Sequence, residues 1–484
     1  MKNKIIKRAS ICMAFLITCS IFCMNDVFAS KKPPSDYEKI SEQIAIDVEK
    51  YHIPGMAVIV VDKDNVLFQE TYGNCDSIDT PFLIGSMSKS FTALAIMQLV
   101  EDGKIDLDSP ISEYIDAGKW FIDDTDSNNI TIRNLLNQTS GITTYQTFGK
   151  LKKTNSYGSH VYANANYGLL GLIIEAVSGM TYEEYVSKNV FSPLGMNHSA
   201  ASFKKSKENG LINGYRNYFG IPIDGEPDYP DDIAYGTWTN VPAGYLSSSI
   251  SDMGRYLQMY LNDGENIISK ESINSMFFDN VPVNDGSYYY GMGWIYSTQM
   301  YSQPMFWHAG LVENYTSNMF ILPKEGIGVA VLVNMNDYLV CNNLINNIIN
   351  LLIGEERQNY PNLYVILHLV IDVICFFLCF ISVHSIATIG QWTKKESINF
   401  IIDGLRHILL PIFLLCIPLI TGTPIRVLWL FVKDLCLLLY LNAGILIIVG
   451  VYKIVFLLRK LYIKNHCLLS LIHISEPTRL RCIS

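Results

Sequence analysis

Apolar residues recur every four positions at Ile40, Ile44 and Val48, which predicts an opening helix from Tyr37 to Tyr51. The pattern then shifts to two short apolar runs, Met56–Val61 and Val66–Thr71, joined by the polar turn Asp62-Lys63-Asp64-Asn65; this predicts a hairpin. A long amphipathic helix carries the run from Phe91 to Val100 and stops at Gly103. A helical, loop-rich middle follows, with helices at Ile132–Leu136, Tyr167–Val177 (closed by Gly179), Tyr182–Val190 and Asp252–Leu261. Strands return at Tyr289–Tyr296, Met305–His308, Ser317–Leu322 and Ile327–Val333, the last two joined through Pro323-Lys324-Glu325-Gly326, and a helix over Tyr338–Leu352 closes the segment. Strands at both ends with helices between them predict an α/β chain of the α+β type. One antiparallel sheet is flanked by helices, a helical subdomain sits beside it, and a substrate cleft lies between the two.

Outside residues 30–355 the pattern is different in kind. Lys2, Lys4, Lys7 and Arg8 precede an uncharged stretch from Ala9 to Met24, and Val27-Phe28-Ala29 ends it, so residues 1–29 read as a secretory signal, with an uncleaved anchor as the alternative. Residues 356–468 read as a membrane region with three spans. These are Leu363–Ile386, a second from Ile408 (or from near Phe400) to Thr421, and a third over Leu435–Leu458; a span needs ~20 apolar residues. Lys394 and Lys395 follow the first span, and Arg459, Lys460 and Lys464 follow the third. Positive charge on the cytoplasmic side makes this a multi-pass cell-membrane protein with its large domain on the extracytoplasmic side. Asp372, Lys433 and Asp434 are expected against helix partners or at the interface. Residues 469–484 read as a translated sequencing adapter and are set aside, so three spans is a lower bound.

Composition narrows the function classes. Of 484 residues 49% are hydrophobic, too apolar for a wholly soluble chain, and a net charge of −9 without a basic stripe argues against a nucleic-acid partner. Only Cys75 and Cys341 of the eleven cysteines fall within residues 30–355. A disulfide formed in an oxidising compartment and two buried free thiols both fit them. There is no C-x-x-C pair or H-E-x-x-H stretch, and the nine histidines are scattered, so no metal site is expected.

The chemistry centres on Ser86-Met87-Ser88-Lys89, preceded by Gly85 and heading the long helix. Residues i and i+3 share a helix face, so Lys89 can hold its amine against the Ser86 hydroxyl and, unprotonated, take its proton. A second S-x-x-K, Ser202-Phe203-Lys204-Lys205, lies in a polar stretch and reads as surface. Tyr162-Ala163-Asn164 offers a second acid/base group. A protonated Lys89 nearby is expected to lower the phenol's pKa, and Asn164 can orient Lys89 or bind substrate. The same Tyr-x-Asn pattern recurs at Tyr215, Tyr260 and Tyr360; the copy at Tyr162 differs in context, running directly into the stretch Asn166–Gly179. Trp307-His308-Ala309-Gly310 reads as a strand whose glycine permits close approach to a substrate, with the N–H of Leu311 facing that of Ser86 across an oxyanion site.

These segments occur in order with Thr131-Ile132-Arg133-Asn134-Leu135-Leu136-Asn137-Gln138-Thr139-Ser140-Gly141, Pro193-Leu194-Gly195-Met196 and Pro242-Ala243-Gly244-Tyr245-Leu246-Ser247-Ser248. Together they resemble the beta-lactamase-related serine hydrolases: class C beta-lactamases, D,D-peptidases, D-aminopeptidases and esterases. The resemblance spans about Tyr37 to Asn334. It implies a beta-lactamase/transpeptidase-like fold, Ser86 as acylated nucleophile, Lys89 as its proton acceptor and Tyr162 as the acid/base for leaving group and water. It also implies Asn164, His308 and Gly310 as substrate contacts, the N–H groups of Ser86 and Leu311 as oxyanion hole, and no cofactor.

His308-Ala309-Gly310 departs from the Lys-Thr-Gly of dedicated beta-lactamases. A neutral histidine anchors a carboxylate poorly, which argues against efficient antibiotic hydrolysis and against a strict carboxypeptidase. Gln138 stands where the family commonly has histidine, in a segment read as structural. The expected activity is hydrolysis of an amide or ester through a Ser86 acyl-enzyme. The expected partners are a small-molecule or peptide substrate and the membrane, with oligomeric state left open. The membrane tail resembles peptidases that mature acylated D-amino-acid prodrugs, and equally cell-wall or esterase members with such tails. A penicillin-binding sensor acylated without turnover and a true beta-lactamase are the alternative readings.

Overall fold

Met56, Val58 and Val60 of strand β1 (Gly55–Asp62) face one layer of the core, and Ala57, Ile59 and Val61 face another. A strand covered on both faces has no polar side to show, so its sequence is a continuous apolar run. The computed structural model describes residues 37–230, 240–298, 303–356, 358, 363–394 and 399–474. The expected signal segment, Tyr360-Pro361-Asn362 and residues 475–484 lie outside the described residues.

β1 pairs on one side with β2 (Val66–Gly73) and on the other with β12 (Ile327–Val333), placing Val58 opposite Val331. From β12 the sheet continues through β11 (Tyr315–Leu322), β10 (Met305–Val312), β9 (Ile295–Ser297) and β8 (Tyr288–Tyr290) to β7 (Val281–Val283). It has eight strands, each paired antiparallel to its neighbours. The terminal helices α1 (Tyr37–Lys50) and α10 (Tyr338–Leu352) cover one face through Ile40, Ile44, Leu344 and Ile348. Against the other face lie α2 (Ser88–Glu101) and α8 (Ile250–Leu261), contributing Leu94, Met253 and Leu257. Between α2 and α8 come α3 (Ile132–Leu136), α4 (Asn164–Ser178), α5 (Tyr182–Val186), α6 (Phe203–Glu208) and α7 (Val241–Gly244); α9 (Lys270–Phe278) follows α8. This is the expected antiparallel sheet with flanking helices and a helical part.

Three expectations change in detail, and one left open is decided. The run Tyr289–Tyr296 is two short strands rather than one, because the chain turns at Gly291–Trp294. Gly293 adopts φ +80°, and a Cβ there would lie 2.8 Å from the Lys89 carbonyl, so the turn presses on α2. The strand expected to end at His308 continues to Val312, which puts His308, Gly310 and Leu311 on one strand. Helix α2 is buried on nearly every side rather than amphipathic, as its apolar run and satisfied hydroxyls allow. Cys75 and Cys341 are both free and buried. They belong to the two separate core layers, out of reach of each other across the sheet.

From residue 366 onward the chain forms a second compact unit. Three helical stretches in it are long and apolar enough to cross a membrane: Leu369–Ala387, Phe400–Thr421 and Lys433–Lys464. The second begins at the earlier of its two expected starts, which brings Asp403 and His407 into its first turns. Lys453 of the third stretch donates to Asp403 Oδ1 at 2.6 Å and Trp392 donates to Oδ2 at 2.7 Å, so the acid is paired. Lys433, at the start of the third stretch, lies 5.6 Å over the Trp429 ring.

Candidate active site

Ser86 sits in a one-turn 3₁₀ helix, Gly85–Met87, that links β3 (Pro81–Leu83) to α2. Gly85 has φ +53°, and a side chain there would collide with the Leu311 nitrogen and come within 2.6 Å of the Gly310 carbonyl carbon. A side chain at Gly310 would collide with the Ile84 carbonyl and the Ser317 hydroxyl. Each glycine is therefore required by the other strand's backbone: together they let the nucleophile turn press against β10 and bring the Leu311 N–H beside it. The absence of a side chain at Gly310 is thus required by the backbone packing of β10 against this turn. Ser88 fixes the turn by donating to the Gly85 carbonyl at 2.7 Å and accepting from the Leu246 N–H at 3.1 Å.

Lys89 is fully buried, while Ser86 one helical turn away stays partly exposed. The lysine nitrogen lies 3.0 Å from Ser86 Oγ, 2.8 Å from Asn164 Oδ1 and 2.6 Å from the Ala243 carbonyl. Burial holds its pKa well below the usual 10.5. A neutral amine has two hydrogens and one lone pair. The amide oxygen and the carbonyl can only accept, so they take the hydrogens and leave the lone pair for the Ser86 O–H.

Tyr162 lies with its ring 4.7 Å from the Lys89 nitrogen and its phenol within hydrogen-bonding reach of Ser86. Its pKa is raised well above the usual value, not lowered as the sequence suggested. Desolvation dominates, the neighbouring Tyr290 adds to it, and the hydrogen bond with Ser86 offsets them only in part. The phenol is therefore held as a proton donor. Its loop is fixed from below by Gln138, whose Oε1 accepts from the Ala163 N–H at 3.0 Å and the Asn166 side chain at 2.5 Å. The Gln138 backbone has φ +61°.

His308 is almost fully buried, and its ring centroid lies 6.4 Å from that of Tyr162. Nδ1 is 2.7 Å from the Ala309 carbonyl, an acceptor, so Nδ1 carries the ring proton and Nε2 presents a lone pair. Burial and the nearby Lys89 push its pKa down to about 3. The structure thus brings Ser86, Lys89, Tyr162 and Asn164 into one crevice with His308, Gly310 and Leu311 on the adjoining strand. Arranged this way, the groups can move a proton from alcohol to amine and supply one from phenol, with backbone N–H groups beside the nucleophile.

Two parts of this arrangement were not singled out as functional in the sequence. One is the Ala243 carbonyl, delivered by the short helix α7 and capped by Asn240, whose side chain accepts from the Ala243 N–H at 3.1 Å. The other is Glu313, just past Leu311, which accepts from Tyr245. A backbone acceptor carries no residue signature, and a lone glutamate in a turn carries little. The second S-x-x-K is a helix cap: Ser202 accepts from the Lys205 N–H at the start of α6.

The chain is 26% identical over 329 residues to protein flp of Staphylococcus aureus strain N315, a match covering 63% of this chain and 64% of that protein's length. It is 26% identical over 307 residues to a beta-lactamase of Escherichia coli K12, covering 58% of this chain and 74% of that one. Its fold matches the octameric penicillin-binding protein homologue from Pyrococcus abyssi with a TM-score of 0.58 and 27% identity, over 67% of this chain and 79% of that structure. The beta-lactamase family model matches residues 40–345, and the chain belongs to the beta-lactamase family.

Proposed function

We propose that this protein is a membrane-anchored serine hydrolase that cleaves an amide or ester through an acyl-enzyme on Ser86. The single observation that carries this reading is the Lys89 nitrogen, 3.0 Å from Ser86 Oγ, buried and occupied on its other sides by two acceptors. In acylation the Ser86 proton passes to Lys89 Nζ as Oγ bonds the substrate carbonyl carbon. The oxyanion is received by the N–H groups of Ser86 and Leu311. The leaving group takes the Tyr162 proton as its bond to carbon breaks. In deacylation the Tyr162 phenolate takes a proton from water, the hydroxide attacks, and Lys89 returns its proton to Ser86, so every proton is accounted for. Asn164 holds Lys89, and His308 and Gly310 line the substrate side. No cofactor enters any step.

The three apolar stretches anchor the domain, and the basic residues after the first and at the end of the third, among them Lys394, Arg459 and Lys460, favour an extracytoplasmic catalytic domain. A D-amino-acid or cell-wall peptide is the substrate class that suits such a placement. The test is covalent labelling of the full chain with a fluorophosphonate or penicillin probe and mapping of the modified peptide. Label on Ser86, absent in Ser86→Ala and Lys89→Ala, supports the reading. Absence of label on the folded protein overturns it, and a single burst without turnover on any substrate assigns the domain to sensing instead.

A further inference from the structure

Beside the catalytic groups, His308, Tyr290 and His160 each carry a buried polar atom without a hydrogen-bond partner among the described residues. The His308 ring is locked, with Nδ1–H directed to the Ala309 carbonyl at 2.7 Å, which leaves its Nε2 as a buried, unpartnered acceptor. A buried acceptor without a donor costs free energy that a ligand can return. The rings of Tyr162 and His308 are neighbours at 6.4 Å, and Tyr162 is the group that protonates the departing fragment, so His308 borders the leaving-group side. Tyr290 lies between, 6.1 Å from His308 and 6.0 Å from Tyr162, and the His160 ring is 5.2 Å beyond it. His160 Nε2 is also buried and unpartnered.

This wall carries no positive charge for a carboxylate. His308 and His160 are held neutral by burial, at pKa values of about 3 and about 4. The Lys89 amine is committed to Ser86, Asn164 and Ala243. A lone pair facing a carboxylate repels it, whereas a lone pair facing an N–H or O–H bonds it.

Resting on the hydrolase reading above, we infer that the leaving group of the substrate carries a neutral hydrogen-bond donor, received by Nε2 of His308, in place of a free terminal carboxylate. The substrate class is then an amide or ester whose departing part continues as a peptide, carboxamide or alcohol. Departure of a free amino acid, with its carboxylate on the leaving group, is disfavoured.

The experiment uses the full chain in detergent and three N-benzoylglycyl thioesters that share acyl group and thiol chemistry. Their leaving groups are mercaptoacetamide, methyl mercaptoacetate and mercaptoacetate, and thiol release is followed with a chromogenic thiol reagent. The expected order of kcat/KM is carboxamide, then methyl ester about tenfold lower, then carboxylate lower again. His308→Phe, which removes the acceptor, brings the carboxamide-to-ester ratio to about one, and His308→Lys raises the carboxylate relative to both. Thioester cleavage with equal rates, or with the carboxylate preferred, overturns the inference and leaves the hydrolase reading standing. No cleavage of any thioester together with no fluorophosphonate label on Ser86 overturns both.

Discussion

The Tyr245 phenol donates to Glu313 Oε1 at 2.6 Å, tying the segment that presents the Ala243 carbonyl to the turn that follows Leu311. One end of this bond lies two residues past Lys89's acceptor and the other two residues past the oxyanion N–H. It therefore couples the two halves of the site. Burial pushes both the Glu313 carboxyl and the Tyr245 phenol up, so the phenol keeps the proton it donates. Tyr245→Phe strips the carboxyl of its phenol donor, with an expected stability loss of about 1–3 kcal/mol. Turnover is expected to fall by about tenfold, with KM changed less, because Tyr245 touches neither substrate nor Ser86. Urea unfolding together with steady-state kinetics on a thioester checks both; an effect on KM alone would reassign Tyr245 to substrate contact.

Gly85 is the position where a single methyl group should be least tolerated. Its φ of +53° is strained for any L side chain, and the added carbon would strike the backbone of Gly310 and Leu311, which cannot rotate away. Gly85→Ala is expected to destabilise the domain by about 2 kcal/mol or more and to abolish Ser86 labelling even where folded protein is recovered. Gly103→Ala is the comparison, since φ there is also positive (+68°) but no atom lies within 4 Å. It should cost less and leave labelling intact. Equal losses in the two variants would show that strain, not contact with β10, governs Gly85.

Much of this architecture could be read from the chain because the central strands β1, β11 and β12 are buried on both faces. The runs at Met56–Val61 and Ile327–Val333 are apolar without interruption, and they mark the sheet's centre. Ser86, Lys89, Tyr162 and Asn164 were legible as motifs because side-chain chemistry demands those residue types. The phenol's acidity was misjudged because spacing reveals proximity to Lys89 but not the burial that neutralises both groups. The hairpin at Gly291–Trp294 was missed because its tyrosines and Trp294 have strand propensity, and only the packing of Gly293 on α2 bends them apart. Gln138 looked incidental in sequence, yet its amide supports the Tyr162 loop.

The pH dependence follows from which form of Lys89 works. Only the neutral amine accepts the Ser86 proton, so kcat/KM should rise with unit slope as pH climbs through the folded-state pKa of Lys89 and then level off. Because burial lowers that pKa, the plateau is reached well below 10.5. Tyr162 must stay protonated to serve the leaving group, and its raised pKa keeps the alkaline limb above the ordinary phenol range. A broad plateau through neutral pH is the expected outcome, measured as thioester hydrolysis against pH with the enzyme's stability checked at each end. An acid limb centred near 10 would show that Lys89 is not the base.

Asn164→Asp isolates the charge state of Lys89 from its position. The side chain keeps its length and still presents an oxygen to the Lys89 nitrogen, now 2.8 Å away in the native pair, but brings a negative charge into a buried site. An opposite charge at that distance favours the protonated amine, so the Lys89 pKa rises toward its ordinary value and the acid limb moves to higher pH. At neutral pH the neutral fraction falls by about tenfold for each unit of that rise, and kcat/KM should fall with it. Raising the pH should then recover activity in Asn164→Asp. Asn164→Ala, which loses the acceptor without adding charge, should be slow across the whole range. A profile for Asn164→Asp that is lowered uniformly, with no shift of its acid limb, would mean that Asn164 acts through substrate contact and not through the lysine.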